Sequence, residues 1–559
     1  MCGIWLLCGM ESHESLHCND CFTKIAHRGP DAWRLEMDSR MQNIFLGFHR
    51  LSIVDGLYGM QPMQLHRYPH ITLLCNGEIY NCERLRSQFD FQYETKCDVE
   101  CIIHLYAKFG MEKTVQNLDG VFAFIIIDAE KKEIHIARDP YGVRPAFILN
   151  TSDGVLGVCS EAKGLISMGR ELNGKNWKIT PFPPGCWESY SVEKSGLVKL
   201  KNRLRFYEIG LSKPSFQVLV PWEDLNATDV KENIRRLFTA AVEKRLMSDR
   251  RIGCLLSGGL DSSLVAALLV KAAKKHNLPY KIQSFSIGMG TSPDLIAARQ
   301  VAEYIGTEHH EVIFSEDDVA KLLDDVIYTL ETPDITTIRA SLGMYLLSRY
   351  IKDNTDTTVI FSGEGADELA QGYIYFRDAP NPKEAHDESV RLLRDIYLFD
   401  GLRADRTTAA HSLELRLPFL DQQFSSYYLS LSPESRQPVN GVEKHLLRDA
   451  FNGTNLIPDN ILWRHKEAFS DGVASVSKSL FQVIGEIVDK IIPDSDFTKL
   501  ASSYNCCTPK TKEALYYRME FEKSFPNHCQ QFMGYFWMPK WSEATDPSAR
   551  FISHYKADK

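Results

Sequence analysis

The chain of 559 residues has no apolar run that approaches the roughly 18 residues needed to span a membrane. Its first residues lack a basic stretch followed by an apolar one, so secretion is not indicated. There is no long block of like charge, and the formal net charge is only −9. Nucleic-acid binding needs a basic face, which this composition does not favour. We therefore expect a cytosolic protein with neither a membrane nor a nucleic acid as a partner.

The fourteen cysteines are dispersed along a long chain, which indicates free thiols in a reducing compartment. Cys18 and Cys21 have the spacing of metal and redox sites, and His17 and His27 flank them. No second C-x-x-C pair follows, so ordinary cysteines are favoured over a zinc site.

One cysteine is the second residue of the chain, and this position changes what its thiol can do. If Met1 is removed, Cys2 carries a free α-amino group with a pKa near about 8, low enough for a general base. The nucleophile and its base then lie on one residue. A lone cysteine is otherwise most often a small buried apolar residue.

The pattern of apolar residues divides the chain into a strand-rich first part and a second part in which strands and helices alternate. Candidate strands of the first part, within a domain at 2–190, are 44–48, 71–75, 121–128 and 133–137. Over 191–226 the pattern loses its period, which is typical of a linker.

A second domain is expected at 227–540, where an amphipathic helix runs to about Met247. Its predicted strands, 252–256, 282–287 and 357–361, each end in a glycine-containing loop. This alternation predicts a parallel sheet wound by helices, with ligands beyond the carboxyl ends of its strands. A helix-rich segment at about 389–533 and a mobile polar tail at 541–559 complete the expectation.

The loop 257–263 reads SGGLDSS, follows a predicted strand and opens a predicted helix. Its two glycines let the backbone approach an anion, and the helix start directs free N–H groups at it. The chain contains no GxxxxGK[ST], so this loop is not a Walker A motif. A carboxylate such as Asp261 repels a polyphosphate unless a divalent cation lies between them, so the loop predicts Mg²⁺ as well as phosphate.

A second loop, 362–368, reads SGEGADE and follows the strand 357–361. Three carboxylates on a glycine loop suit a cation or a cationic substrate, whereas the alternative is an acidic turn facing water. Downstream, Arg416 and Lys466 offer positive charge. Either alone is more often a surface ion-pair partner, but Lys466 could stabilise charge on a transferring phosphoryl group.

Together these motifs resemble those of the glutamine-hydrolysing asparagine synthetase family, over nearly the whole chain. The first half resembles class II glutamine amidotransferases, and the second resembles ATP pyrophosphatases, whose signature is SGGxDS. The runs SGEGADE and KEAFSDG also match. The resemblance implies an α+β sandwich with αββα layers, as in Ntn hydrolases, and then a doubly wound parallel α/β sheet.

The resemblance also implies an activity. ATP with Mg²⁺ would convert aspartate into β-aspartyl-AMP and pyrophosphate, and ammonia from glutamine would then displace AMP to give asparagine. It further implies a homodimer. Two alternatives stay open: an amide-forming enzyme of the same type that uses another acid, and a non-catalytic scaffold that keeps both folds.

In the first domain the resemblance implies that Cys2 is the nucleophile and that Arg50 pairs with the glutamine α-carboxylate. Asn76 and Gly77 would form the oxyanion hole. The other implied glutamine-binding residues are Leu51, Ser52, Ile53, Val54, Glu78 and Asp98. An Asn-Gly dipeptide otherwise favours a type I′ hairpin turn. Cys75 stands where the family leads us to expect an aromatic residue, and we expect no contact between it and the functional positions.

In the second domain the resemblance implies that Glu364 and Lys466 are catalytic. Asp261 and Asp367 would hold Mg²⁺ through pyrophosphate. The implied ATP-binding residues are Leu255, Ser257, Gly258, Gly259, Asp261, Ser262, Ile287, Ser362 and Gly363.

Overall fold

The computed structural model describes residues 1–10, 18–172, 176–290, 292–465, 479–544 and 546–547. The chain divides into two compact units that are discontinuous in sequence. The first contains Met1–Gln217, Met247–Arg250 and Ala409–Leu413, and the second contains Val218–Leu246, Arg251–Thr408 and the chain from Glu414 onward. The domain limits 2–190 and 227–540 stay a prediction.

Two six-stranded antiparallel sheets form the first unit. Its strands are β1 (Gly3–Cys8), β2 (Ala32–Met37), β3 (Ile44–Arg50), β4 (Met63–Leu65), β5 (Tyr68–Ile79), β6 (Gly120–Asp128), β7 (Glu133–Arg138), β8 (Phe147–Thr151), β9 (Leu156–Cys159), β10 (Trp177–Pro181), β11 (Cys186–Val192) and β12 (Val198–Arg205). Its helices are α1 (Cys18–Thr23), α2 (Cys82–Phe89), α3 (Glu100–Asn117) and α4 (Lys163–Glu171). The strand orders are β10-β8-β9-β1-β3-β2 and β12-β11-β7-β6-β5-β4. Each of the four predicted strands lies within an observed one.

The layers of this unit follow from the period-two alternation of its strands. In β5, Leu74 belongs to a core that the two sheets share with Leu6 and Leu46, whereas Leu73 faces the opposite side and packs with Ile102 of α3. On the other sheet, α4 packs against β9 and β10 and also against α1. The result is a helix–sheet–sheet–helix sandwich, which confirms the predicted fold class.

The segment 191–226, expected as a linker, is partly regular structure. β12 pairs along its length with β11 at the edge of the second sheet. Apart from Val198 its residues are exposed, and four of them, at alternate positions, are basic: Lys199, Lys201, Arg203 and Arg205. Val198, Leu200 and Leu204 alternate with these basic residues, but Leu200 and Leu204 remain exposed, as an edge strand allows.

The second unit is built on one parallel sheet of five strands. These are β13 (Arg251–Leu255), β14 (Gln283–Gly288), β15 (Glu308–Ile313), β16 (Thr357–Phe361) and β17 (Glu414–Arg416), in the order β15-β14-β13-β16-β17. Its α-helices are α5 (Trp222–Ala227), α6 (Val230–Glu243), α7 (Leu260–Lys275), α8 (Pro293–Ile305), α9 (Glu316–Leu330), α10 (Ile335–Asn354), α11 (Ala366–Leu369), α12 (Pro382–Asp395), α13 (Asp400–Ala409), α14 (Gln422–Ser430), α15 (His445–Phe451), α16 (Asp459–Leu462), α17 (Leu480–Ile491), α18 (Asp494–Ala501), α19 (Lys512–Ser524) and α20 (Cys529–Phe532). The expectation of a parallel sheet wound by helices is confirmed.

The strand order places the two glycine loops side by side. From β13 the sheet continues through β14 and β15 on one side and through β16 and β17 on the other. Connections that leave in opposite directions open a crevice at the carboxyl ends of β13 and β16, the topological switch point of such sheets. The loops 257–263 and 362–368 begin there, so the position predicted from sequence is correct.

Two further expectations are wrong. Arg416, expected at the surface, is fully buried in β17, where its Nε donates to Glu414 Oε1 at 2.9 Å. The tail after Trp541 is not free in its described part, because Asp546 is buried and accepts two hydrogen bonds from Arg339 of α10, at 2.9 and 2.7 Å. A buried guanidinium needs carboxylate partners, and the tail supplies one of them.

All fourteen cysteines are free thiols, as predicted, and Cys18 and Cys21 are buried in α1. Within the described ranges, no helix combines the length and the apolar character that a membrane span requires.

Candidate active sites

Cys2 lies directly before β1, where the end of the neighbouring β3 fixes its thiol. Leu51 N donates to Cys2 Sγ at 3.4 Å, and the thiol in turn lies 3.5 Å from Leu51 O. Arg28, fully buried, donates from Nε to Cys2 O at 3.0 Å and pairs with Glu161 at 2.6 Å. The backbone and the thiol of Cys2 are therefore both held in place, while its side chain stays partly accessible. Sequence reasoning did not single out Arg28, because nothing in its spacing marks it.

Asn76 and Gly77 lie inside β5 and pair with Ala123 and Phe122 of β6, so the hairpin-turn interpretation is wrong, and the strand predicted at 71–75 continues through both residues. A β-carbon on Gly77 would lie 2.5 Å from Val121 O, which only glycine avoids. Asn76 is buried, and its Nδ2 has no hydrogen-bond partner among the described residues. A buried amide donor without a partner is rare and suits a group that binds a ligand oxygen.

The charged members of the predicted glutamine-binding set, Arg50, Glu78 and Asp98, are all buried. Arg50 donates from Nη1 to Gly56 O at 3.1 Å and from Nη2 to Asp55 O. Asp98 Oδ2 accepts a hydrogen bond from Ile79 N at 2.7 Å. Of the apolar and small residues in the set, Leu51 and Ile53 are buried, and Ser52 and Val54 are partly exposed.

The pKa values of two buried thiols, Cys75 and Cys97, respond to the charges of the predicted site residues. Burial raises the pKa of Cys75 well above its ordinary value, and the charges of Asp98, Cys97, Cys2 and Glu78 add to the effect. Burial likewise raises the pKa of Cys97, with Arg50 acting in the opposite direction. Cys75 therefore lies within electrostatic range of Asp98, Cys2 and Glu78, and the expectation that it does not contact the functional positions stays a prediction.

In the second unit a cavity of about 220 Å³ lies at the carboxyl ends of β13 and β16. Predicted residues that line it are Leu255, Ser257, Gly259, Asp261, Ser262, Ile287, Ser362, Gly363, Glu364 and Asp367. Gly258 does not line it, but its carbonyl accepts a hydrogen bond from Arg464 Nη1 at 3.2 Å. Lys466 lies outside the described residues.

Lys444 is one of the cavity residues that no sequence pattern indicated. Its Nζ lies 2.5 Å from Asp261 Oδ2 and 2.5 Å from Asp367 Oδ1, so one ammonium joins the two glycine loops. The lysine is almost fully buried, and Asp261 Oδ1 has no hydrogen-bond partner among the described residues. No motif marks Lys444, which precedes α15 and lies 183 residues from Asp261.

A second network fixes the acidic side of the cavity. Arg403 Nη2 donates to Glu364 Oε2 at 2.8 Å and to Asp400 Oδ1 at 2.6 Å. Tyr373 donates to Glu368 Oε1 at 2.7 Å and lies 2.8 Å from Asp400 Oδ2. Glu364 is thus held by a guanidinium, and Arg403, Asp400 and Tyr373 join the site without any signal in the sequence.

Within this network the pKa values of two carboxyl groups are shifted in opposite directions. Burial raises the pKa of Glu368 well above its ordinary value, and the charges of Asp400 and Asp367 raise it further. Burial also opposes ionisation of Asp400, but the Arg403 guanidinium and the hydrogen bonds with Glu368 and Tyr373 together outweigh it and lower the pKa of that carboxyl. Environments that separate two such pKa values keep one acid protonated beside one carboxylate.

Both halves of the chain match known families. An asparagine synthase model matches residues 233–386 and 377–546, and a glutamine amidotransferase domain model matches residues 1–176. The glutamine-hydrolysing asparagine synthetase of Homo sapiens is 53% identical over 560 residues, which cover 100% of this chain and 99% of that protein. That of Gallus gallus is 53% identical over 562 residues, with the same coverage.

A solved glutamine phosphoribosylpyrophosphate amidotransferase from B. subtilis covers 57% of this chain and 92% of its own, at 14% identity and a TM-score of 0.31. That score is too low to support an argument about function. The matches in sequence, over both halves and the full length, decide the classification. The chain belongs to the family of glutamine-hydrolysing asparagine synthetases.

Proposed function

We propose that this protein makes L-asparagine from L-aspartate, using ATP and nitrogen from glutamine. It is a carbon–nitrogen ligase with two half-reactions, one at each of the two sites. The observation that carries the proposal is the convergence of Asp261 and Asp367, from two glycine loops, on one cavity at the switch point of the sheet.

At the first site the Cys2 thiolate attacks the side-chain amide carbon of glutamine. The C–N bond breaks, ammonia leaves, and a γ-glutamyl thioester remains for water to hydrolyse to glutamate. Asn76 Nδ2 and the Gly77 backbone stabilise the oxyanion, and the unpartnered amide of Asn76 supports this role. Arg50 binds the α-carboxylate, and Glu78 and Asp98 bind the ammonium group. The amine of Cys2 becomes available as a base only after Met1 is removed.

At the second site the β-carboxylate of aspartate attacks the α-phosphorus of ATP. The bond to the β-phosphate oxygen breaks, pyrophosphate leaves, and ammonia then displaces AMP from β-aspartyl-AMP. Lys444 is placed to stabilise charge on the departing pyrophosphate, because its ammonium lies between the two loops. Glu364, oriented by Arg403, and Lys466 act on the forming acyl-adenylate.

The residues of this cavity fit Mg²⁺ that arrives with ATP. Asp261 and Asp367 are two converging carboxylates, and Asp261 Oδ1 is a buried oxygen with no partner among the described residues. Over the same residues no group of three or more His, Cys, Asp or Glu is arranged to hold a metal. Mg²⁺ is commonly held by one or two carboxylates together with substrate phosphates, which agrees with both observations. The ion would offset negative charge on the polyphosphate.

The two half-reactions are separable by mutation. Cys2→Ala is expected to abolish asparagine synthesis from glutamine and to leave synthesis from added ammonium chloride largely intact. With α-labelled ATP, labelled AMP should appear only when aspartate is present. Equal loss of both activities in Cys2→Ala, or turnover without labelled AMP, would refute this division of labour.

Three finer points extend the proposal. Aspartate rather than another acid is the acyl donor, which a comparison of acids in the AMP-release assay tests. A homodimer, implied by the family, is tested by light scattering on the purified protein. Residence in the cytosol is tested by fractionation of cells.

A further inference from the structure

Asp55 directly follows the predicted glutamine-binding run, and the proposed function assigns it no role. It is buried, and its φ of +55° lies in the left-handed region, which aspartate and asparagine adopt more readily than most residues. Its carbonyl oxygen accepts a hydrogen bond from Arg50 Nη2. Its carboxylate accepts one from Tyr58 N at 3.1 Å and one from Lys96 N at 2.8 Å. One residue therefore connects Arg50 with the segment that carries Asp98.

The segment that carries Asp98 contains no helix or strand. All of its residues are described, and it joins the end of α2 at Phe89 to the start of α3 at Glu100. The hydrogen-bond ladder of a helix or a sheet therefore does not fix the position of Asp98. Backbone N–H groups in such a segment need other acceptors, and here side chains supply them.

Glu100 holds the first part of this segment. Its carboxylate is fully buried and accepts hydrogen bonds from Glu94 N and Thr95 N, both at 2.7 Å. The Thr95 hydroxyl donates to the same carboxylate at 2.6 Å and accepts a hydrogen bond from Cys97 N at 3.1 Å. With the bond to Asp55, four successive N–H groups are bound by side chains.

Arg50 and this segment also meet at Gly59. A β-carbon on Gly59 would lie 2.7 Å from Arg50 Nη2, 3.2 Å from Cys97 Sγ and 3.3 Å from the carbonyl oxygen of Asp55. These three groups therefore surround one point, and Cys97 is the residue directly before Asp98. The guanidinium assigned to the α-carboxylate and the carboxylate assigned to the α-ammonium group thus belong to chain segments that converge at Asp55.

We propose that Asp55 is a positioning residue that fixes the separation of Arg50 and Asp98 and so makes the site selective for an α-amino acid, an inference that rests on the proposed binding of glutamine at the first site. The α-carboxylate and α-ammonium groups of glutamine are bonded to one carbon atom, so the groups that bind them must keep a fixed distance. A carboxylate suits this task because both of its oxygens accept, one from its own turn and one from the Asp98 segment. Glu100 holds the same segment from its other end.

Asp55→Asn tests this role with a side chain of the same shape. Asparagine tolerates the left-handed backbone, but it offers one oxygen where aspartate offers two, so one N–H group faces an amide donor. The KM for glutamine hydrolysis should rise about tenfold or more while kcat stays within about twofold, because binding is lost equally in the ground state and the transition state. Ammonia-dependent synthesis should continue at the wild-type rate.

Two further variants separate positioning from general destabilisation. Glu100→Gln removes an acceptor from the same segment and should give the same rise in KM with little change in kcat. Asp38→Asn is the matched control, because Asp38 is also buried and accepts from Arg40 N at 2.8 Å and Met41 N at 3.1 Å, but between β2 and β3. It should lose stability in urea and keep the wild-type KM. A raised KM in this control would overturn the positioning role.

A double-mutant cycle shows whether Asp55 acts through Asp98. In Asp98→Asn protein, the added Asp55→Asn change should raise the KM by less than about twofold, whereas independent effects would multiply. As inhibitors of hydrolysis, L-glutamate carries the α-ammonium group and glutarate lacks it. Asp55→Asn should weaken inhibition by L-glutamate about tenfold and inhibition by glutarate less than about twofold.

An unchanged KM in Asp55→Asn, multiplied effects in the cycle, or equal weakening of both inhibitors would overturn the role assigned to Asp55. Each of these outcomes leaves the proposed function intact, since the wild-type protein still hydrolyses glutamine. Absence of glutamine hydrolysis by the wild-type protein would instead refute the proposed function, and the positioning role with it.

Discussion

Lys444→Met removes the ammonium that joins the two glycine loops and replaces it with an uncharged side chain of similar length. At 2.5 Å from each of two carboxylate oxygens, the ammonium attracts both, and its loss leaves Asp261 and Asp367 to repel each other. Two unit charges about 4 Å apart interact by about 4 kcal/mol at an effective dielectric constant near 20. Breaking a buried ion pair costs about 3–5 kcal/mol.

The aspartates keep 17% and 21% of their side-chain surface exposed, so water screens part of this interaction. We therefore expect the free energy of unfolding in urea to fall by about 2–3 kcal/mol. Loss of one positive group at a leaving pyrophosphate should lower ammonia-dependent pyrophosphate release by about 10²–10³-fold. Hydrolysis of glutamine should continue at the wild-type rate, since it occurs at the other site.

Two controls make the measurement decisive. Lys444→Arg retains the charge and should lose less of the pyrophosphate release. Lys275→Met removes a lysine that also pairs with a carboxylate, Glu243 at 2.9 Å, but at an exposed position, and should change neither quantity appreciably. Wild-type pyrophosphate release in Lys444→Met would refute the role assigned to this lysine. Parallel loss of glutamine hydrolysis would show that the variant is unfolded.

Three further predictions concern the other site residues. Arg50→Lys should raise the KM for glutamine about tenfold or more, because lysine lacks the guanidinium fork that binds a carboxylate. Ammonia-dependent synthesis should be unaffected, and an unchanged KM would contradict the assignment. Gly77→Ala would place a β-carbon 2.5 Å from Val121 O. It should therefore lower the free energy of unfolding by about 1–3 kcal/mol and abolish glutamine hydrolysis, whereas full activity would show that the strand can shift. Glu368 has a raised pKa in the folded chain, so the folded form holds its proton to higher pH than the unfolded form and loses stability as the pH rises above the unfolded value. Glu368→Gln removes this effect, and its urea midpoint relative to wild type should rise between pH 5 and pH 8, whereas a constant difference would argue against the protonated acid.

The sequence was sufficient for features in which local pattern and global fold agree. The alternation of apolar strands with helices located β13 and β16, and the glycines located the loops that follow them. It failed where tertiary pairing overrides a local preference. Asn76-Gly77 favours a turn in isolation, but nine residue pairs between β5 and β6 keep the chain extended through it. β12 was missed although its apolar and basic residues alternate, since it is one short strand followed by a stretch without regular elements.

The residues missed in the synthetase site share a different cause. Lys444, Arg403 and Tyr373 belong to segments far from the glycine loops in sequence, and their contacts depend on how helices pack around the sheet. Each is a common residue type whose most frequent role is a surface ion pair or an aromatic core contact. Only their burial next to carboxylates distinguishes them. A short sequence motif does not predict such burial, because it depends on the tertiary packing.

The charges of the cavity bear on how ATP can bind there. Among the described residues that line it, six acidic side chains face four cationic ones: Asp261, Asp294, Glu364, Asp367, Glu368 and Asp400 against Arg403, Lys444, Arg448 and Arg464. The acidic set exceeds the cationic one by two at most, and the raised pKa of Glu368 reduces that excess. The cavity therefore offers a polyphosphate little net attraction. A divalent cation that enters with the nucleotide supplies the missing positive charge, so Mg²⁺ should bind tightly with ATP and weakly without it.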